Sequence, residues 1–249
     1  MNISESVALV TGANRGLGKA RVQALRAAGC AKLYAAARDI NTIAEMDGVI
    51  PILLDITKSD QVAAGAAQCR DVTLLINNAG VAGFTPALDA PTMDNARREM
   101  ETNYFGTLAM CRSFAAVLKA NGGGALVNVL SVVSWSNVPM QGTYCASKSA
   151  EWSLTKAVRF ELRAQGTRVS GVYAGYIDTA MTTSIDLPKS TPEAIAARML
   201  AGIQAGEEEI LADERAETIR AQLLKDEGPF EANTQAIWDD FKRGQATSV

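Results

Sequence analysis

Short apolar segments alternate along the chain with longer segments in which apolar residues recur every three or four positions. The short segments are rich in Val, Ile, Leu and Ala, a composition typical of strands that are buried on both faces of a parallel sheet. The predicted strands are Val7–Val10, Lys32–Ala37, Ile50–Leu54, Thr73–Ile76, Ala125–Leu130, Val169–Tyr173 and Glu209–Ala212.

Helical periodicity fills most of the intervals between these strands. The predicted helices are Lys19–Ala28, Ser59–Cys69, Arg97–Ala120, Tyr144–Ala164, Thr191–Gln204 and Arg215–Lys225. Strands that alternate with helices predict an α/β fold, in which a doubly wound parallel sheet of about seven strands carries helices on both faces. The length suits a single domain over residues 1–249. Residues 228–249 are polar and irregular in pattern, so we predict no regular structure there.

Charge and composition exclude several classes of function. The chain has 24 Lys and Arg residues against 27 Asp and Glu residues, and the basic ones are scattered, so we expect no nucleic-acid partner. Histidine is absent, which excludes a Ser-His-Asp hydrolase and removes the commonest zinc ligand. We therefore expect no metal site.

The four cysteines and the N-terminus bear on the compartment. Cys30, Cys69, Cys111 and Cys145 form no C-x-x-C pair, which favours buried thiols in a reducing environment. The N-terminal residues lack the pattern of a signal peptide, and no run of apolar residues is long enough to span a membrane. The sequence thus predicts a cytoplasmic protein without a membrane partner.

A glycine-rich segment directly follows the first predicted strand and leads into a helix. Residues 11–18 read TGANRGLG. Backbone N–H groups at a helix N-terminus can hold the diphosphate of a dinucleotide, and glycine lets the main chain approach it closely. The spacing of Gly12, Gly16 and Gly18 departs from the G-x-G-x-x-G pattern, and Ala20 excludes a Walker A loop. The alternative is a turn that binds no ligand. The candidate dinucleotide contacts are Gly12, Asn14, Arg15, Gly16, Leu17 and Gly18.

The end of the second predicted strand bears on the choice of dinucleotide. Arg38 lies there, about 20 residues after the glycine-rich segment, where an arginine favours NADP and an acid favours NAD. Arg38 and Arg15 could clamp a 2′-phosphate between them. Asp39 could instead accept a hydrogen bond from a ribose hydroxyl, and both arginines could be ordinary solvated charges. The sequence favours NADP(H), with NAD(H) as the alternative.

Tyr144 and Lys148 are four residues apart, so they share one face of a predicted helix. A phenol ionises near pH 10, and a neighbouring ammonium or an oxidised nicotinamide favours the phenolate. We therefore expect Lys148 to lower the pKa of Tyr144. Ser131 ends a predicted strand, at the sheet edge where α/β proteins bind their ligands. The alternative interpretation of the Tyr–Lys spacing is an incidental surface pair.

These motifs, together with Asn77-Asn78-Ala79-Gly80 after the fourth strand, resemble those of the short-chain dehydrogenase/reductase family, in its branch of about 250 residues. The resemblance spans most of the first 180 residues. It implies a Rossmann-type fold and an oxidoreductase that interconverts a ketone or aldehyde and an alcohol. In such a reaction the cofactor carries the hydride, and Tyr144 serves as general acid or base.

The resemblance also implies roles for further residues. Asn103 would complete a tetrad with Ser131, Tyr144 and Lys148 by holding a water molecule that feeds the proton relay through Lys148. Further cofactor contacts would be Asp55, Ile56, Asn77, Ala79, Gly80, Tyr144, Lys148, Gly175, Ile177 and Thr179. The chain departs from the family at Ala174, where proline is usual, and we expect a looser turn there that still binds the cofactor.

The substrate class and the assembly state are open to prediction as well. The candidate substrate contacts are Val133, Trp135, Met140, Tyr176 and Met181. Most of them are apolar, which favours a small lipophilic ketone or alcohol, although some could simply pack in the core.

The helices Arg97–Ala120 and Tyr144–Ala164 carry excess apolar residues, so we expect a homodimer or homotetramer. The alternatives to this enzyme are a catalytically silent dinucleotide-binding regulator and an isomerase or dehydratase on the same fold.

Overall fold

Seven parallel strands form one sheet within residues 1–246, the part of the chain that the computed structural model describes. The strands are β1 (Val7–Thr11), β2 (Lys32–Ala37), β3 (Val49–Leu53), β4 (Leu74–Asn77), β5 (Ala125–Val129), β6 (Arg168–Tyr173) and β7 (Glu209–Leu211). Their spatial order is β3-β2-β1-β4-β5-β6-β7, which confirms the predicted doubly wound sheet. The strand order reverses between β1 and β4, and a crevice opens at that point in such sheets.

Helices cover both faces of the sheet, as predicted. They are α1 (Gly16–Ala27), α2 (Ser59–Gln68), α3 (Asp94–Glu99), α4 (Thr107–Ala120), α5 (Gly142–Leu162), α6 (Pro192–Ala205), α7 (Glu214–Lys225) and α8 (Gly228–Ala246). On one face, Leu25 of α1 and Met199 of α6 are fully buried in the core. On the other face, Met110 and Phe114 of α4 are fully buried beside α2 and α5. The two apolar layers explain why the central strands are apolar on both sides.

The predicted helix Arg97–Ala120 is interrupted. A π-helical segment, Met100–Gly106, joins α3 to α4. π-Helical turns within α-helices are rare and often lie at functional sites, because the extra residue redirects side chains. A Cβ atom at Gly106 would lie 2.7 Å from the Ile56 side chain, so glycine allows this segment to pack tightly against the loop after β3.

The prediction for the C-terminal segment was wrong, because α8 occupies Gly228–Ala246. Phe230, Thr234 and Trp238, spaced by four, are half-buried, and most of the other side chains of α8 are exposed. An ion pair of 2.8 Å joins Lys242 to Asp89. The apolar stripe is too narrow to indicate a helix in the sequence, and tertiary packing stabilises it. Residues 247–249, which that prediction also covered, lie outside the described residues.

All four cysteines are buried free thiols, as the sequence indicated. Burial raises the pKa of Cys69 to about 12, that of Cys111 to about 12 and that of Cys145 to about 11. The pKa of Cys30 is also raised by burial. Among the helices of residues 1–246, none has the length and hydropathy that crossing a membrane would require.

Candidate active site

A cleft of about 910 Å³ opens at the carboxyl ends of the strands, where their order reverses. This volume lies at the upper end of the range of about 300–1,000 Å³ that is usual for ligand pockets. Segment 12–18, the end of β2, the loops after β3 to β6 and the start of α5 line the cleft, and Phe230 of α8 lies at its rim. Segments that are distant in the sequence can therefore contact a single ligand bound in this cleft.

The glycine-rich segment forms one wall of the cleft. Gly12 and Gly16 have φ values of +62° and +48°, a conformation that favours glycine. A Cβ atom at Gly18 would lie 2.0 Å from the carbonyl oxygen of Gly12, so α1 packs directly on the loop. Arg15 is the N-cap of α1, and its side chain makes no capping hydrogen bond within the described residues. The N–H groups of the first turn are therefore available to an anion.

Asn78 ties the loop after β4 to the glycine-rich segment. Its Nδ2 donates to the carbonyl oxygens of Thr11, at 2.8 Å, and Gly12, at 3.2 Å. The Thr11 Oγ1 accepts from the N–H groups of Asn78 and Ala79, both at 3.0 Å. Asn77, by contrast, is not among the residues of 1–246 that line the cleft. It is buried and donates to Asn128 Oδ1 at 2.9 Å, because it still belongs to β4 and its side chain points into a helix layer.

A buried arginine lies behind this junction, and the sequence reasoning missed it. Arg21 of α1 has 0% exposure and donates from Nη1 to Asn78 Oδ1. Within residues 1–246 it forms no ion pair, and its Nε and Nη2 have no hydrogen-bond partner. Burial lowers the pKa of Arg21 to about 9. The guanidinium thus supports the loop at a considerable desolvation cost.

The side chains predicted to determine the preference between NADP and NAD lie at the far end of the cleft. Arg15 and Arg38 are exposed at its rim, and neither forms an ion pair within the described part of the chain. Asp39 instead caps a short 3₁₀ turn, because its Oδ1 accepts from the backbone and the side chain of Asn41, both at 3.0 Å. Asp55 also lines the cleft. The arrangement leaves two guanidinium groups free for an anion while the neighbouring carboxylate is engaged.

Tyr144, Lys148 and Ser131 line the opposite end of the same cleft. Lys148 Nζ donates to the carbonyl oxygen of Val129 at 2.8 Å and to Glu151 Oε2 at 2.6 Å. Among the residues that the structure describes, the Ser131 Oγ makes only long contacts, of 3.5 Å to the Ala174 carbonyl oxygen and 3.4 Å to the Val133 nitrogen. Its hydroxyl group is therefore free to turn towards a ligand.

Burial raises the pKa of Tyr144, and Lys148 opposes this effect. The carboxylates of Glu151 and Glu99 add to the increase. The effect of Lys148 has the expected sign, but in the protein alone burial outweighs it. Burial would lower the pKa of Lys148, yet the attraction of Glu151, that of Tyr144 and the hydrogen bond to Glu151 together outweigh this, and the pKa is raised. The phenol is therefore protonated and the lysine is charged at neutral pH.

Asn103 lies behind the cleft rather than in its wall. It is fully buried in the π-helical segment, and its Oδ1 accepts from the Val81 nitrogen at 2.9 Å. Its Nδ2 donates to the Val81 carbonyl oxygen and to Ser147 Oγ, both at 2.9 Å. A Cβ atom at Gly80 would lie 3.2 Å from Asn103 Oδ1 and 3.7 Å from Lys148 Nζ, so glycine keeps these two side chains close. The water-holding role of Asn103 stays a prediction.

Two of the five expected substrate contacts lie elsewhere. Val133, Tyr176 and Met181 line the cleft, whereas Trp135 stacks on Tyr173 with ring centroids 4.0 Å apart and lines a second, smaller cavity. The 3₁₀ turn that begins after Ser131 carries Trp135 away from the cleft. Met140 belongs to the 3₁₀ turn Pro139–Gln141, against which α8 packs, and it is not among the described residues that line the cleft.

Other lining residues went unpredicted. Phe84 has φ +50°, an unusual value for a side chain of this size, and its ring centroid lies 6.3 Å from that of Tyr144. Gln141 is buried and donates from Nε2 to Tyr176 Oη at 3.2 Å. Phe230 comes from the helix that the sequence did not predict. Only the proximity of residue 84 to the Asn-Asn-Ala-Gly motif could have indicated Phe84 in advance.

A parallel sheet of this order, a glycine-rich turn after β1 and a Tyr–Lys pair facing it together define an oxidoreductase of the short-chain dehydrogenase class. The sequence profile of that family, described as short chain dehydrogenase, matches residues 6–189, and the chain belongs to the family. It is 34% identical to human L-xylulose reductase over 178 residues, which are 70% of this chain and 72% of the relative.

Two further relatives extend the comparison. Carbonyl reductase (NADPH) 2 of Sus scrofa is 32% identical over 190 residues, which cover 74% of this chain and 77% of that protein. A short chain dehydrogenase of Burkholderia cenocepacia, solved in complex with NADP, superimposes with a TM-score of 0.91 at 39% identity. That match covers 94% of this chain and 99% of the solved one.

Proposed function

We propose that the protein is an NADP(H)-dependent reductase that interconverts a small, largely apolar ketone or aldehyde and the corresponding alcohol. The observation that carries this proposal is the convergence of Tyr144, Lys148 and Ser131 at one end of a cleft whose other end presents Arg15 and Arg38. The solved relative that binds NADP, and the NADPH-dependent carbonyl reductase among the curated relatives, support it.

The residues present fit a dinucleotide phosphate. The N–H groups at the start of α1, which Arg15 does not cap, suit the diphosphate. The guanidinium groups of Arg15 and Arg38, which form no ion pair within residues 1–246, suit a 2′-phosphate. The cradle requires Gly12, Gly16 and Gly18, since side chains there would collide with neighbouring atoms or strain the backbone. When bound, the nicotinamide supplies or accepts the hydride at the substrate carbon. The remaining cofactor contacts would come from the loops after β3, β4 and β6.

In the reductive direction, Tyr144 donates its phenolic proton to the carbonyl oxygen as negative charge develops there. The raised pKa of Tyr144 keeps that proton in place at neutral pH. Ser131, with its weakly engaged hydroxyl group, donates a hydrogen bond to the same oxygen. Lys148 remains protonated and stabilises the phenolate that forms. In alcohol oxidation, Tyr144 takes the proton back.

The lining near Tyr144 favours an apolar substrate. Phe84, Val133, Met181 and Phe230 contribute apolar surface, and the pair formed by Gln141 and the half-buried Tyr176 offers a polar group in this region. A lipophilic carbonyl compound with one further hydrogen-bonding group suits this environment better than a sugar phosphate or an acyl carrier.

The test is a panel of carbonyl substrates run with NADPH and with NADH, monitored by loss of the reduced nicotinamide. We expect turnover with apolar ketones or aldehydes and a preference for NADPH. Binding of NADPH without oxidation across the panel would indicate a regulator instead. Product formation without net oxidation of the cofactor would indicate an isomerase or dehydratase.

A further inference from the structure

Helix α5 carries a third ionisable side chain in line with Tyr144 and Lys148. Glu151 follows Lys148 by three residues and Tyr144 by seven, so all three share one helix face. Glu151 is only 1% exposed and does not line the cleft within the described residues. Its Oε2 accepts from Lys148 Nζ at 2.6 Å, and its Oε1 accepts from Thr107 Oγ1 of α4 at 3.4 Å. Within the described residues, the carboxylate therefore contacts the lining of the cleft through Lys148.

We propose that Glu151 is a positioning residue that holds Lys148 and offsets part of its charge, and that it thereby raises the pH at which Tyr144 gives up its proton. The inference rests on the proposed function for its kinetic consequence. The predicted effect of Glu151 on the ionisation of Tyr144, however, does not depend on that function and can be measured without substrate.

The offset follows from the geometry of the pair. A lone ammonium beside a phenol favours the phenolate, and a carboxylate 2.6 Å from that ammonium offsets part of this effect. Seven residues of helix advance by about 10 Å. A unit charge at about 10 Å, in an effective dielectric constant of about 20, changes a pKa by about one unit. Glu151 is thus close enough to change the pKa of Tyr144 through its charge, although it is too far away to contact the Tyr144 side chain.

Other charges face these groups from the surrounding elements. Glu99 of α3 acts on Tyr144 in the same direction as Glu151, and the Cys145 thiol of α5 does so as well. Arg21 of α1 acts on Lys148 and lowers its pKa slightly. Among these groups Glu151 alone hydrogen-bonds Lys148 within the described residues, so it is the one that also fixes the position of the ammonium.

A contribution to the stability of the fold does not explain the buried pair of Lys148 and Glu151. Burial raises the pKa of Glu151 in spite of the attraction of Lys148, so the carboxylate is held there at a cost. Replacement of a buried ion pair by apolar side chains is often neutral or stabilising. A role in the proton transfer accounts for a charge at this position better than packing does.

The kinetic test is Glu151→Gln, which keeps the shape and an acceptor for Lys148 but removes the charge. The pH profile of alcohol oxidation should move to lower pH by about one unit, because the charge of Glu151 then no longer opposes the effect of Lys148 on Tyr144. The matched control is Glu99→Gln, a second fully buried carboxylate, which accepts from the Gly83 nitrogen at 2.6 Å instead of from Lys148. We expect it to move the profile by less than half as much. A Glu151→Gln profile that coincides with the parent's, in a variant that still binds NADPH, would overturn the inference.

A second measurement needs no turnover. The ultraviolet absorbance of phenolate, taken as the difference between each protein and its Tyr144→Phe counterpart, reports the ionisation of Tyr144 without cofactor. We expect ionisation above the ordinary value of about 10 in the parent and at a lower pH in Glu151→Gln, and equal ionisation in the two would refute the offset. Ionisation well below that value would refute the offset even if the enzyme reduces ketones. Absence of ketone reduction, with the titration as expected, would refute the proposed function alone.

Discussion

Replacement of Arg21 by Met should make the protein more stable, although it removes a fully buried side chain with a hydrogen bond. The pKa of Arg21 is lowered from 12.5 to about 9, and at about 1.36 kcal/mol per unit this corresponds to a burial cost of about 5 kcal/mol. The hydrogen bond to Asn78 returns up to about 3 kcal/mol. Met has a similar reach and no charge, so the net gain should be about 2 kcal/mol.

Thermal unfolding measures this effect directly. In a chain of this length a gain of about 2 kcal/mol should raise Tm by about 4–8 °C. Lys19→Met, an exposed change on the same helix, should shift stability by no more than about 0.5 kcal/mol. Because the folded-state pKa lies below the unfolded one, the cost is fully present at pH 7 and is relieved as the pH rises above about 9. The gap in Tm between parent and variant should therefore narrow above that pH.

A lower Tm for Arg21→Met at neutral pH, with Lys19→Met unchanged, would refute this reasoning. It would mean that the guanidinium stabilises the junction between the glycine-rich segment and the loop after β4 by more than its burial costs. Affinity for NADPH, measured alongside by fluorescence titration, would then reveal whether that junction also supports the cofactor site.

Three further outcomes can be checked with the same protein. Tyr144→Phe should lower kcat by about 10²–10⁴, or roughly 3–5 kcal/mol of barrier, and leave Tm and NADPH affinity nearly unchanged; near-parental turnover would refute its role as acid. Arg38→Asp should move the ratio of kcat/KM values from NADPH towards NADH, and an unchanged ratio would show that Arg38 does not contact the 2′-phosphate. Sedimentation at micromolar concentration should give a homodimer or homotetramer, and a monomer would contradict the apolar-surface argument.

The strands could be predicted because their signal is local. Each of the seven begins and ends within one residue of its prediction, since strands buried on both faces must be apolar throughout. The glycine-rich segment and the Tyr–Lys pair could also be predicted. A backbone that approaches a ligand closely needs glycines at fixed positions, and two side chains on one helix face are separated by a fixed number of residues.

The remaining parts depend on contacts between segments that are distant in the chain. Trp135 was predicted to contact the substrate because it closely follows Ser131, yet a single 3₁₀ turn places it outside the cleft. Helix α8 has a narrow apolar stripe, and it packs against the 3₁₀ turn Pro139–Gln141, which lies far earlier in the chain. Glu151 could have been found from its spacing of seven from Tyr144, but a charged residue on a long helix is normally solvated. Nothing in the local pattern marks Arg21 as buried.

The four buried thiols have a practical consequence for measuring this site. A chain without histidine whose cysteines all titrate above their ordinary range has few groups that change charge between about pH 6 and pH 8.5. A kinetic transition in that interval can therefore be assigned with little background. Because burial raises the pKa of Tyr144, its ionisation in the protein alone lies above this interval, and a transition that appears inside it once the cofactor is bound can be attributed to the site.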